Sequence, residues 1–380
     1  MNIDHQKLRY ISGPVSVIKL EGTINKTKKE ILIFGDLHYR ENQNECESID
    51  SVSIKSYLID LFKKSEQKLD FFLELKDDLS KKEEIPFTAN YLNQLRFFFV
   101  KNKNNFRNVR FHYSDIRDVN RSDFLMFIYG LKDSRYENII NSNVTRYDDL
   151  LYILYLSDEI KEYVNIIIKG LKLNPKSFKK LLDDEPDDSH KFIFIKNIYK
   201  ILNKYNNKSI KKEIRKILKL LTSKSVKDVN ELIKFVKPIK KKVEDKILFS
   251  ASEIEKNVFN LRKKIENLRT TFVYLFSLIT DIYTLRRILD KNYVDKSIIY
   301  VGAAHAKNLL NILVSNFNFK VINKFSYRKD LINIEKNFLL DFFKNRKKES
   351  NNKKQFDSDG FVSEITKQCI DIQQFKKPLI

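Results

Sequence analysis

Two histidines in this sequence occupy the same kind of position. His38 closes Ile31-Leu-Ile-Phe-Gly35-Asp36-Leu37-His38, and His305 closes Ile298-Ile-Tyr-Val-Gly302-Ala303-Ala304-His305. Each reads as an apolar strand that ends in Gly-x-x-His. Glycine at a strand exit lets the chain turn sharply and lets a ligand approach the backbone. Carboxylates gather at similar places. Glu74 ends the apolar run Leu69-Asp-Phe-Phe-Leu73, and Asp36 stands two residues before His38. Asp115 and Arg117 follow Val109-Arg-Phe-His-Tyr113, with His112 inside that run. The other two histidines, His5 and His190, lie in polar surroundings and read as bystanders.

Such a set supports two chemistries. With a divalent metal (Mn, Co, Fe or Zn), His38, Glu74 and His305 supply nitrogen and oxygen ligands, and an open position holds a water that the ion acidifies. Without one, a histidine serves as general base, a carboxylate orients it, and Arg117 stabilises a developing oxyanion. Plainer roles stand beside these. Glu74 can begin a solvated loop, Asp115 can cap a turn or pair with Arg117, and His112 can be a core histidine with its polar atoms satisfied.

The elements that must position these residues follow from apolar patterning. Short apolar runs at Val15–Leu20, Glu30–Phe34, Leu69–Leu73, Val109–Tyr113, Ser297–Val301 and Phe319–Asn323 predict strands, several covered on both faces. Helical stretches near 51–64, 90–101 and 305–316 separate them, so the fold class is α/β, with a mixed or mostly parallel sheet flanked by helices. In such sheets ligands bind beyond the carboxyl ends of the strands, where both Gly-x-x-His motifs project. Residues 121–292 read as one large all-helical insertion. In its last helix Ala251, Ile254, Val258, Leu261, Ile265, Leu268, Phe272, Leu275, Ile279 and Ile282 recur at steps of three and four, a seam that packs within the chain or against a second copy as a homodimer. The expected organisation is residues 1–120 and 293–345 as two parts of one α/β domain, 121–292 as the insertion, and 346–380 as a flexible linker and tail. The acidic turn Leu182-Asp-Asp-Glu-Pro-Asp-Asp-Ser189 reads as a solvated loop, because it lacks the ligand-and-Gly pattern of a calcium loop.

Composition bounds the rest. A hydrophobic fraction of 42% with 32% charged residues supports a large core and excludes generic disorder. Seven Gly and six Pro are too few for a turn-rich sandwich or propeller, and two cysteines, Cys46 and Cys369, cannot build a disulfide framework or a cysteine zinc cage. No apolar run has the length of a membrane span and the N-terminus has no signal core, so a cytoplasmic protein is expected. The net charge of +22 raises nucleic acid as a partner, but only sixteen of the 72 basic residues are Arg. A Lys-, Asn- and Ile-rich chain more often reflects AT-rich coding, so the expected partner is a small-molecule or peptide substrate rather than nucleic acid.

The two Gly-x-x-His motifs, with Glu74 after the intervening strand, resemble the TIKI/TraB (PrgY-like) proteins. That family sits in a superfamily with the erythromycin esterases, the ChaN-like haem-binding proteins and a domain of the Pasteurella toxin. Asp115-x-Arg117, and the helix bearing Asp281-Ile-Tyr-Thr-Leu285, look like uncharacterised relatives in large DNA viruses. The resemblance covers residues 30–118 and 281–325. It implies a hydrolase cutting an amide or ester bond in a cleft built on His38, Glu74 and His305, with Asp115 and Arg117 in support. It also implies an alternative, an inactive module that binds haem or another ligand on the same fold. TraB-like chains place an Arg shortly after the Glu, where this chain has Lys76-Asp-Asp78.

Overall fold

The computed structural model describes residues 8–38, 45–74, 90–115, 146–172, 193–334, 367–373 and 375. The chain divides into two compact units, one of residues 1–117 with 280–380 and one of residues 118–279.

The first unit is built on a six-stranded sheet. Its strands are β2 (Ser16–Ile24), β3 (Thr27–Asp36), β5 (Leu69–Leu73), β6 (Val109–Tyr113), β7 (Lys296–Gly302) and β8 (Lys320–Ser326). They lie in the order β6-β5-β7-β3-β2-β8. The four from β6 to β3 are parallel, and β3-β2-β8 are antiparallel, so the sheet is mixed. Asn25 and Lys26 link β2 to β3 with φ of 52° and 66°. Two left-handed residues in a two-residue loop match the twist of a hairpin, which is why this turn is tight. All six runs expected as strands are strands. Their apolar composition is explained by helices on the sheet: α1 (Ile54–Lys64) and α2 (Tyr91–Asn102) share one core with it, and α7 (Ala303–Phe317) lies against β3, β2 and β7. Phe62, Phe71, Phe99, Phe106 and Phe111 form a ring cluster in the α1–α2 core, with centroids 5.1–6.1 Å apart. Five of these nine contacts are edge-to-face, a geometry that adds about 0.5–1.5 kcal/mol per pair to the area buried.

A second, small sheet was not expected. β1 (Tyr10–Ser12) pairs in parallel with β4 (Ser51–Ser53) and antiparallel with β9 (Cys369–Asp371). Each strand has three residues, too short for alternation to show in the sequence. β9 lies inside the stretch expected to be a flexible tail, and it is held there by a disulfide between Cys46 and Cys369, Cα atoms 5.1 Å apart. The two cysteines that make no framework on their own thus tie the C-terminal segment to the chain ahead of β4.

The described part of the second unit is helical: α3 (Tyr147–Lys172), α4 (Ile193–Asn203), α5 (Lys208–Glu244) and most of α6 (Ala251–Leu289). Asn207 caps α5 by accepting the N–H groups of Ser209 and Ile210. In α6 the apolar seam is buried from Val258 through Leu261, Ile265 and Leu268. The division between units falls within α6, at Thr280, so the last three turns of this helix belong with the sheet. No described helix is long and apolar enough to cross a membrane. The acidic turn at 182–189 lies outside the described residues.

Candidate functional site

Strand order assembles the site. β7 lies between β5 and β3, and the register places Leu73 opposite Tyr300 and Asp36 opposite Gly302. The parallel strands therefore end side by side, and the residues that follow them, Glu74, His38 and His305, meet around Gly302. The Gly302 N–H donates to Oε2 of Glu74 at 2.6 Å. Gly302 is the N-cap of α7 and has no side chain to cap the helix. The Glu74 carboxylate, reaching across from the neighbouring strand, instead accepts the N–H of the N-cap residue itself, at the positive end of the helix dipole.

His305 lies in the first turn of α7. Its Nε2 is 3.2 Å from Oε1 of Glu74, and its Nδ1 is 2.7 Å from Oδ1 of Asp281 on α6. Asn308, one turn along α7, donates to the other oxygen of Asp281 at 2.9 Å. All four side chains are buried. Burial alone would lower the His305 pKa, but the carboxylates of Glu74 and Asp281, facing one ring nitrogen each, hold it up at about 10. At neutral pH the ring is an imidazolium that donates to a carboxylate on both sides.

His38 differs. Its φ is 57°, the left-handed region, where a non-glycine residue is uncommon. Asp36 holds this turn, with one oxygen accepting the His38 N–H at 2.6 Å and the other accepting the Tyr300 hydroxyl at 2.7 Å. Asp36 is buried, and that desolvation raises its pKa, opposed by nearby His38 and the Tyr300 hydrogen bond. The His38 side chain is 41% exposed. A methyl group placed on Gly302 would lie 3.0 Å from His38 Nε2 and 3.3 Å from Glu74 Oε2. Gly302 is therefore the point on which a ring nitrogen and a carboxylate oxygen converge, and no side chain fits between them without displacing one. Gly35 serves another purpose: a methyl there would collide first with Ser16 Oγ on β2 and then press on Ala306 Cβ at 3.1 Å and Ala303 Cα at 3.2 Å, so it lets β2 and α7 both close on β3.

The remaining candidates are placed elsewhere. His112 bonds Asp70 and Arg287 and stacks on Phe72, with ring centroids 4.6 Å apart. Asp115 accepts from Thr280 Oγ1 at 3.5 Å. Arg117, His5 and His190 lie outside the described residues. Asp281, Asn308 and Tyr300 were missed as site residues. Asp281 carries a usable signal, an acid set between Ile279 and Ile282 in an otherwise apolar seam, where a buried charge requires a partner. Asn308 and Tyr300 carry none.

A metal needs lone pairs turned toward one point. Among the described residues no group of three or more His, Cys, Asp or Glu is disposed to hold an ion. Both nitrogens of His305 already face carboxylates, so as arranged the ring has no free lone pair to offer.

Residues 9–379 match the family described as "Family of unknown function (DUF5847)", and the chain belongs to it. It is similar to proteins of Acanthamoeba polyphaga mimivirus. "Uncharacterized protein R706" is 27% identical over 374 residues, covering 84% of this chain and 87% of its own. "Uncharacterized protein R161" is 27% identical over 390 residues, covering 85% and 90%. "Uncharacterized protein R160" is 25% identical over 395 residues, covering 86% and 90%. These likenesses agree with a relative of large-DNA-virus proteins. No solved structure matches.

Proposed function

We propose that this protein is a hydrolase of an ester or amide bond in a small-molecule or peptide substrate, of the TIKI/TraB–erythromycin-esterase type, and that it works by acid–base chemistry without a metal. The observation that carries this reading is the convergence of His38 Nε2 and Glu74 Oε2 on Gly302, with the His38 side chain exposed. A water there has a ring nitrogen to take its proton as it attacks a carbonyl, and a carboxylate to orient it. His38 is exposed enough to meet a substrate, and Asp36 fixes its backbone. His305, anchored by Asp281 and Asn308, holds Glu74 in place with an opposite charge. General acid–base catalysis by one positioned group contributes about 10²–10⁴-fold.

The test uses the full chain with p-nitrophenyl esters of increasing acyl length and a fluorogenic peptide amide, with and without EDTA. The expected result is turnover indifferent to EDTA that falls at least about 100-fold in His38→Ala while circular dichroism is unchanged. Turnover abolished by EDTA and restored by Mn, Co, Fe or Zn moves the reading to a metallohydrolase. Turnover equal in wild type and His38→Ala sinks the assignment of the site. No turnover, with haem binding seen as a Soret band that His38→Ala removes, supports the inactive ligand-binding alternative.

A further inference from the structure

α5 carries thirteen Lys and Arg against four acids, a net +9 on 37 residues of a chain whose total is +22. The fold sorts these charges by face. Ile214, Ile217, Leu232 and Val236 are buried. Asp228 is buried as well, where it pairs with Lys224 and accepts from Thr271 Oγ1 at 3.2 Å. Glu213 is half-buried and pairs with Lys216 at 2.6 Å, and Glu231 is half-buried too. Of the four acids only Glu244, the last residue, is exposed. The outward face instead presents Lys212, Arg215 and Lys219, and then Lys234, Lys237 and Lys241. All six are exposed, and none forms an ion pair with a described residue.

The two triads have the same i, i+3, i+7 spacing, which places each on one helical face. They are offset by 22 residues, which at 1.5 Å per residue is about 33 Å. That is close to the roughly 34 Å turn of duplex DNA, over which one strand returns to the same side. A helix lying along the duplex axis would therefore meet the same phosphate strand with both triads. Five of the six cations are Lys, suited to phosphates as point charges rather than to bidentate reading of bases. No aromatic residue of α5 is exposed for stacking on unpaired bases, and the apolar face that a membrane would need is already buried.

We propose that the outward face of α5 binds the phosphate backbone of double-stranded DNA without regard to sequence, one triad to each turn. The test is fluorescence anisotropy of the full chain with a labelled duplex of about 30 base pairs across a NaCl series. Six contacts predict a slope of about −5 in log K against log salt. Lys212→Gln/Arg215→Gln/Lys219→Gln, or Lys234→Gln/Lys237→Gln/Lys241→Gln, is expected to cut that slope by about 3 and weaken binding at least tenfold. Gln keeps helix propensity, and circular dichroism checks the fold. Lys63→Gln/Lys103→Gln/Lys320→Gln, three exposed lysines of the first unit, is expected to change little. On wild type alone, a duplex of about 10 base pairs, too short for both triads, should show a slope of about −3. Triad variants that bind like wild type overturn the proposal. So does an equal loss in the control variant, a slope indifferent to duplex length, or tighter binding to phosphatidylserine vesicles than to the duplex.

Discussion

His112 and His305 both belong to the first unit and both touch a buried aspartate, yet their neighbours give them opposite states. At His112 the Arg287 guanidinium is 3.0 Å from Nδ1 and can only donate, so Nδ1 accepts and the proton sits on Nε2, directed at Asp70 2.6 Å away. Arg110 also grips Asp70, with its Nε at 2.8 Å. Burial pushes the Asp70 carboxyl up, but the bonds from Arg110 and His112 outweigh it and hold the pKa below the usual value. Every polar atom of that ring is spent on structure. At His305 both neighbours are carboxylates, so the ring is cationic, and the cluster continues through Glu74 to the exposed His38. A histidine beside an aspartate signals chemistry only when the chain of contacts ends in accessible space.

The largest expected effect is on stability. His305→Ala leaves Glu74 and Asp281 buried without their shared cation and is expected to destabilise the first unit by about 3–5 kcal/mol. His112→Ala leaves Asp70 with Arg110 and is expected to cost about 1–3 kcal/mol. Urea unfolding of both variants measures the difference, and equal losses would break the distinction.

The pH dependence comes next. His305 titrates near 6.5 when unfolded and at about 10 when folded, so the folded state binds the proton more tightly. Its stabilisation is complete below pH 6.5 and is lost as the pH rises to 10. Urea midpoints should therefore fall across that window in wild type by more than they do in His305→Gln. A wild-type profile parallel to that of His305→Gln would show that the ring is not held as a cation.

The two motif glycines sharpen the point further. Gly35→Ala drives a methyl into Ser16 Oγ of β2 and against α7, and is expected to destabilise by about 1–3 kcal/mol. Gly302→Ala places its methyl against the exposed ring of His38 and against Glu74 Oε2, so stability should change by about 1 kcal/mol while hydrolysis falls at least tenfold. A Gly302→Ala variant with full turnover would show that the meeting point of His38 and Glu74 is not where the chemistry occurs. The smallest stability effect is expected for His38→Ala, within about 0.5 kcal/mol in a urea midpoint, because its side chain is exposed.

Apolar runs and strand-ending polar residues are local patterns, and they are enough to place the strands, the helices that cover them and the convergence of Glu74, His38 and His305 on one edge of a sheet. The family is legible in the same way, through matches spread along residues 9–379. Which histidine faces which charge is settled by folding. That depends on strand order, with β7 between β5 and β3, and on α6 bringing Asp281 to a residue 24 positions later. Three-residue strands and a disulfide joining positions 323 apart leave no periodic trace, so β1, β4 and β9 were invisible in advance. The unit boundary within α6 was hidden for the same reason, since an unbroken helix carries no Gly or Pro to mark it. Sequence spacing fixes what is near along the chain, whereas protonation, burial and open space are properties of neighbours that only folding supplies.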